Sequence, residues 1–467
     1  METEYDVIII GAGAVAENVA DRAVQGGLTA VLIESELVGG DCSYWACMPS
    51  KALLRSGIAL RAVQNLEGAK QAVTGGLDVA AVLKRRTGFT HDWDDQSQVD
   101  WVAGAGISLV RGHGRLTGVK TVAVEKDGQT THLTARHAVV VATGSDPVLP
   151  DIPGLAKARP WTPREATSAT VIPESLAIIG GGVVAVEMAT AYSSFGCAVT
   201  VIARGGLLTK EEDFAGPAVE KALVTLGARI VHGAPTLVER DSTVRVTVGD
   251  EVIEAAELLV ATGRQPRSND IGLEAIGLEP GTWLDVDDTL LVTGTDWLYA
   301  TGDINHRALL THQGKYQARA AGDVIAARAL GRPVNDAPWG SHVATADHAA
   351  VPQVVFSDPE VASVGLTSVA ATKAGFDIRV VDYNLGWVAG ASLQADDYEG
   401  TARMVVDEKR KVILGVTFVG QDVSELIHAA TIAIVGEVPL DRLWHAVPAY
   451  PTMNEIWLRL LEQYGRP

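Results

Sequence analysis

The stretch Val7-Ile8-Ile9-Ile10-Gly11-Ala12-Gly13-Ala14-Val15-Ala16 decides how the chain begins to fold. Consecutive apolar residues read as a strand buried on both faces, as in a parallel sheet. Gly11 and Gly13 then permit a turn tight enough to bring backbone against a pyrophosphate, and the small Ala16 stands where a third glycine is usual. A helical pattern follows through Val24, so the amides at its start can meet phosphate charge. Val31 to Glu34 reads as the next strand, with Glu34, 23 residues after Gly11, placed to accept hydrogen bonds from both ribose hydroxyls of an adenosine. The stretch therefore predicts a complete βαβ nucleotide-binding unit.

The pattern recurs in Ser175-Leu176-Ala177-Ile178-Ile179-Gly180-Gly181-Gly182-Val183-Val184-Ala185-Val186-Glu187, followed by a strand from Ala198 to Ala203. Gly180, Gly182 and Ala185 repeat the spacing, so a second dinucleotide site is expected. Val139-Val140-Val141-Ala142-Thr143-Gly144-Ser145 closes the first segment, and Pro147, Pro150 and Pro153-Gly154 mark the crossover. Leu258-Leu259-Val260-Ala261-Thr262-Gly263-Arg264 closes the second in the same way. From Val343 the chain alternates strands and long helical patterns without glycine fingerprints; Gln353 to Phe356 and Val412 to Val419 read as strands and Val423 to Val435 as a helix. The predicted architecture is α/β: a discontinuous first nucleotide-binding domain (1–155 and 280–343), a second inserted within it (156–279), and a C-terminal α+β domain (344–467).

With 467 residues, 47% of them hydrophobic, the chain is long enough for several cores. A formal net charge of -19 opposes binding to nucleic-acid backbones or anionic lipid. The apolar run from Leu176 to Ala203 is interrupted by glycines, Glu187 and a serine pair, so no transmembrane helix is predicted. The acidic start, Met1 to Asp6, lacks the basic flank of a signal peptide, which makes a cytoplasmic location the expectation.

Cys42 and Cys47 lie in Gly39-Gly40-Asp41-Cys42-Ser43-Tyr44-Trp45-Ala46-Cys47-Met48-Pro49-Ser50-Lys51. In a reducing compartment such a close pair points to redox catalysis, and the zinc alternative lacks further cysteines, so no metal site is predicted. Cys197, at the entrance to a buried strand, reads as a small hydrophobe.

Taken together, these motifs resemble the class I pyridine nucleotide-disulfide oxidoreductases over nearly the whole chain. Leu298-Tyr299-Ala300-Thr301-Gly302-Asp303 is similar to that family's second flavin motif, and Phe356-Ser357-Asp358-Pro359-Glu360 to the opening of its dimerisation domain. The resemblance implies bound FAD, with Gly11, Gly13, Ala16, Glu34, Gly40, Thr143, Gly144, Gly302 and Asp303 among its contacts. It also implies a nicotinamide dinucleotide at Gly180, Gly182, Ala185 and Gly263, and a homodimer whose active site is shared between chains. Lys51 and Glu187 resemble the pair beside the flavin N5; Cys47 resembles the flavin-facing charge-transfer thiol and Cys42 the interchange thiol. Where an acidic residue would bind a free 2′-hydroxyl this chain has Ala203, followed by Arg204 and Lys210, similar to the family's NADPH users. NADPH is therefore expected over NADH.

Two departures bear on the acceptor. Disulfide-reducing relatives carry a histidine followed five residues later by glutamate; this chain has Tyr450 and Glu455. A phenol with pKa about 10 donates a hydrogen bond but is a poor base near neutrality. His445, five residues earlier, is a candidate replacement base. Tyr44, Trp45 and Ala46 also replace smaller or polar residues, either packing or stacking on a flat substrate. Mercuric reductase resembles the chain in having the tyrosine, but its usual C-terminal cysteine pair and N-terminal metal-binding domain have no counterpart here, which weighs against a dedicated mercury enzyme. The expected function is electron transfer from NADPH through FAD and Cys42/Cys47 to a small electrophilic, quinone-like or soft-metal acceptor. The alternatives are reduction of a low-molecular-weight disulfide, reductive C–S cleavage, and a flavin-bound redox sensor.

Overall fold

The computed structural model describes residues Glu2–Arg466. Two compact units share the chain. The first contains the chain up to Pro49 with Thr87–Val148 and Gly263–His348; the second contains Ser50–Arg86, Leu149–Thr262 and the chain from Ala349.

The first unit is built on a seven-stranded sheet. Glu4–Ile10 lies between Ala30–Glu34 and Gln129–Val141, parallel to both. Ser108–Arg111 and Leu298–Ala300 extend the parallel part, while His113–Gly118 and Thr121–Lys126 add antiparallel strands. Val7 to Ile10 is buried throughout, because helices and loops cover both sheet faces.

Five helices carry the chemistry described below: α1 (Ala14–Gln25), α2 (Gly40–Tyr44), α3 (Cys47–Gln64), α4 (Val183–Ser194) and α5 (Thr311–Ala329). Helix α1 buries Ala16, Val19, Ala20 and Ala23 in one core with Ala318, Ala321, Val324 and Ile325 of α5. Small residues on both helices allow their axes to approach closely. Arg22 and Asp323 join them at 2.7 Å on the exposed side.

In the second unit a four-stranded parallel sheet runs Arg229–His232, Ala198–Ala203, Ser175–Ile179, Glu257–Val260. A three-stranded antiparallel meander, Pro235–Arg240 to Ala255, accompanies it. The C-terminal part is a five-stranded antiparallel sheet whose core contains Met404, Val416 and Phe418, packed by Ile427–Val435 and Glu455–Tyr464.

Strand positions follow the apolar patterning closely: Ala198–Ala203 coincides with its expected span, and the strand expected at Val31 starts at Ala30. The helix expected from Val423 begins as a 3₁₀ turn, Val423–Leu426, and becomes α-helical at Ile427. Asp422 at φ 55° sets that tight entry. Among the described residues no helix is long and apolar enough to cross a membrane.

Candidate active site

The first glycine turn forms as its sequence requires. Gly11 has φ +103°, and a Cβ there would stand 2.5 Å from the Ala142 carbonyl oxygen, so only glycine fits between the two strands. Gly13 caps α1 without any side-chain hydrogen bond, and Gly39 pairs with Gly13 in a short parallel bridge that brings Gly40 alongside. Glu34 accepts hydrogen bonds from the amides of Ala12 at 2.7 Å and Glu36 at 2.8 Å. Burial raises the Glu34 pKa while those amides pull it back. An uncapped helix start beside a glycine cradle, with a carboxylate fixed at the strand end, fits an adenine dinucleotide such as FAD.

Further along the same unit Ser145 Oγ donates to Asp303 at 2.5 Å, and Thr143 Oγ1 donates to the Arg267 carbonyl at 2.7 Å. The Gly302 amide donates to Gln317 Oε1 at 2.9 Å; Gly144 lies in the same closing turn, and Gly263 pairs through its carbonyl with the Val148 amide at 3.0 Å. Arg264, which sequence reasoning passed over, donates to Ser145 Oγ and its carbonyl at 2.5 and 2.6 Å and lies 3.5 Å from both Asp303 and Asp41. Its signal was its place directly after the second closing turn.

The redox pair belongs to this unit too. Cys42 lies on α2 and Cys47 opens α3; both are thiols, hydrogen-bonded to each other. Thr311 Oγ1, at the start of α5, is 3.3 Å from Cys47 Sγ and also hydrogen-bonds Cys42. The Cys42 thiol is pushed up by its hydrogen bond to Cys47 and by burial, against the pull of Thr311 and the Lys315 ammonium. Thr311 and Lys315 had no spacing motif to reveal them. Tyr44 is buried at 1% exposure, meets Trp45 edge-on at 5.8 Å, and receives the Trp93 indole N–H on its carbonyl at 3.2 Å. Of the packing and stacking readings, Tyr44 follows packing. Cys197 is a buried thiol, its pKa pushed up to about 12 by burial.

The second unit holds the other predicted groups. Gly180 and Gly182 turn the chain into α4, and Ala185 is fully buried on it. Lys51 donates to both oxygens of Glu187, at 3.0 and 2.7 Å, and the Phe356 amide donates to Oε1 at 3.0 Å. Arg204 and Lys210 are both exposed beyond the end of Ala198–Ala203. Tyr450 is 75% exposed, and His445 is exposed as well. Glu455 is 5% exposed and accepts from Arg459 at 2.5 Å. Among the described residues no cluster of His, Cys, Asp or Glu has the arrangement of a metal site.

Fold and site together define a two-dinucleotide flavoprotein with a dithiol centre. Residues 5–322 match the pyridine nucleotide-disulphide oxidoreductase family, and residues 351–460 match its dimerisation domain. The chain belongs to this family and is an FAD-dependent oxidoreductase using a nicotinamide dinucleotide. It is 30% identical to a mercuric reductase of Staphylococcus aureus over 97% of this chain and 81% of that one. It is 31% identical to a dihydrolipoyl dehydrogenase of Chlamydia pneumoniae, covering 98% and 96% of the two chains. Among solved structures, the Cu(II) complex of the HOCl-induced flavoprotein disulfide reductase RclA from Escherichia coli shares the fold with a TM-score of 0.84 at 22% identity, over 99% of both chains.

Proposed function

We propose that the enzyme uses NADPH to reduce the Cys42–Cys47 pair through FAD and passes the electrons to a small electrophilic, quinone-like or soft-metal acceptor. The observation that carries this reading is the thiol pair itself: two sulfurs in mutual hydrogen bond, with Thr311 against Cys47 and also hydrogen-bonding Cys42.

FAD supplies the step from hydride chemistry to thiol chemistry. The chain's own residues do the rest. Gly11, Gly13, Ala16 and Gly40 shape the pyrophosphate cradle; Glu34 takes the ribose, and Thr143, Gly144, Gly302 and Asp303 the ribityl side. Lys51, oriented by Glu187, offsets the negative charge that arises on flavin reduction. Gly180, Gly182, Ala185 and Gly263 shape the nicotinamide dinucleotide site, with Arg204 and Lys210 at the 2′-phosphate. Cys47 is the flavin-facing thiolate and Cys42 attacks the acceptor. A homodimer completes the site, with residues 344–467 forming the interface between the two chains.

Tyr450, read as standing where disulfide-reducing relatives carry histidine, argues for acceptors whose reduction needs no imidazole proton relay. Thiolates capture a soft metal without an acid catalyst, and the Staphylococcus aureus relative is named a mercuric reductase. Glu455 is turned to Arg459 rather than to an imidazole.

Anaerobic titration of the FAD-loaded enzyme with NADPH tests the relay. The expected result is two new thiols and a long-wavelength charge-transfer band; flavin bleaching without new thiols overturns it. A panel of quinones, soft metal ions and small disulfides then tests the acceptor class, and rapid turnover confined to unactivated alkyl disulfides overturns that part.

A further inference from the structure

The loop that leaves the strand Ala198–Ala203 carries Arg204 and Lys210 and is held at both ends inside the second unit. Its near end rests on the second glycine turn. The Leu208 amide donates to the Gly181 carbonyl at 2.8 Å, and a Cβ on Gly181 would collide with the Gly206 carbonyl oxygen. Leu208 is buried at φ 48°, a left-handed conformation that a leucine keeps only where its surroundings impose it.

The far end is a run of three acids, Glu211-Glu212-Asp213, directly after Lys210. Such a run is ordinarily a solvated, self-repelling stretch. Here each carboxylate is taken up by the C-terminal part of the chain. Glu211 accepts from Gln353 Nε2 at 3.1 Å and hydrogen-bonds the Ser363 side chain. Glu212, with a side chain only 2% exposed, accepts from the Ser368 amide at 2.6 Å, the Ser368 hydroxyl at 2.8 Å and Arg403 at 2.9 Å. The same Arg403 nitrogen donates to Asp213 at 2.8 Å. Arg403 is itself fixed by its sheet: it stands directly opposite Asp382 on the neighbouring strand and donates to both its carboxylate oxygens, at 2.7 and 2.8 Å. A two-pronged grip of this kind sets the orientation of the guanidinium as well as its place. The group also lies over the Phe214 ring, 5.1 Å from its centre. Lys210 thus springs from a backbone pinned two residues before it, at Leu208, and two residues after it, at Glu212.

We infer that Arg403 is a positioning residue for the nicotinamide dinucleotide, acting through Lys210: by pinning Glu212 and Asp213 to the C-terminal sheet it fixes where the Lys210 ammonium meets a 2′-phosphate. This rests on the reading of Lys210 as a 2′-phosphate contact. A dinucleotide with a free 2′-hydroxyl gains little from that ammonium, so the anchor raises selectivity for the phosphorylated cofactor and leaves affinity for the other nearly unchanged.

Isothermal titration calorimetry of NADP⁺ and NAD⁺ into the oxidised, FAD-loaded enzyme reads binding without electron transfer. Arg403→Met leaves the buried Glu212 carboxylate uncompensated, so Arg403→Met/Glu212→Gln, which strands no charge, is measured beside it. Both are expected to weaken NADP⁺ about tenfold, with NAD⁺ changed by less than about twofold. Arg403→Lys keeps the charge but loses the fork and should fall between wild type and Arg403→Met. Lys210→Ala alone should weaken NADP⁺ by about the same factor, and Arg403→Met/Lys210→Ala should be no weaker than Lys210→Ala, because both changes act on one contact. Equal weakening of NADP⁺ and NAD⁺, or full addition of the two losses in Arg403→Met/Lys210→Ala, overturns the inference. NADP⁺ bound as tightly by Lys210→Ala as by wild type overturns the reading of Lys210 along with it.

Discussion

Lys51 Nζ donates to both carboxylate oxygens of Glu187, which is itself almost fully buried. The geometry fixes the ammonium and leaves the carboxylate little access to water. Lys51→Met strands a buried charge and is expected to cost about 3 kcal/mol of stability, while Glu187→Gln keeps the shape and costs less. Stopped-flow flavin reduction by NADPH should slow by about tenfold or more in either variant. Equal reduction rates in Lys51→Met and wild type would remove the pair from the flavin's chemistry.

The two thiols should separate by role. Cys42→Ser is expected to retain a long-wavelength band, because Cys47 remains as thiolate, while turnover falls by about a thousandfold or more. Cys47→Ser should lose the band altogether. Visible spectra of the two variants with the flavin oxidised and the remaining thiol free check the assignment, and a band that persists in Cys47→Ser would reverse it.

Gly11→Ala places a methyl group 2.5 Å from the Ala142 carbonyl at φ +103°. The strain is expected to exceed about 2 kcal/mol and to open the cradle. Desalting the purified variant should release FAD that wild type retains, and the melting temperature should drop in parallel.

Arg204 and Lys210 are exposed, so under the proposed NADPH preference each would meet a 2′-phosphate through a charge-assisted contact at the surface. Arg204→Ala is expected to raise KM for NADPH about tenfold, a loss of about 1.4 kcal/mol, with little change for NADH. Steady-state kinetics with both cofactors measure the difference.

Acid should weaken the start of the central strand. Arg136 Nε donates to Asp6 at 2.6 Å, and this pairing, with help from Thr29, holds the Asp6 pKa down at about 2 against an ordinary 3.8. A depressed folded-state pKa adds stability above pH 3.8 that is lost as the pH falls through about 2. The pair is solvent-screened, so its contribution is about 1 kcal/mol or less. Asp6→Asn should therefore lower stability at pH 7 and converge with wild type near pH 2; parallel denaturation curves at both pH values would refute this.

By itself the sequence determined the two glycine turns, their flanking strands and the spacing of Cys42 and Cys47. Those features are local: a glycine's freedom and an apolar run act within a few residues, so their consequences can be read along the chain. Tertiary structure decided which distant groups meet. Lys51 and Glu187 are 136 residues apart, and Thr311 reaches Cys47 across 264. Arg264 joins Ser145 and Asp303 only because the closing segments come together in one unit. Glu17 carries no motif; its raised pKa comes from burial, opposed by the Lys315 charge, and no periodicity in α1 foretells either. Side-chain protonation depends on desolvation and on charges brought near by packing, and those quantities exist only once the chain has folded.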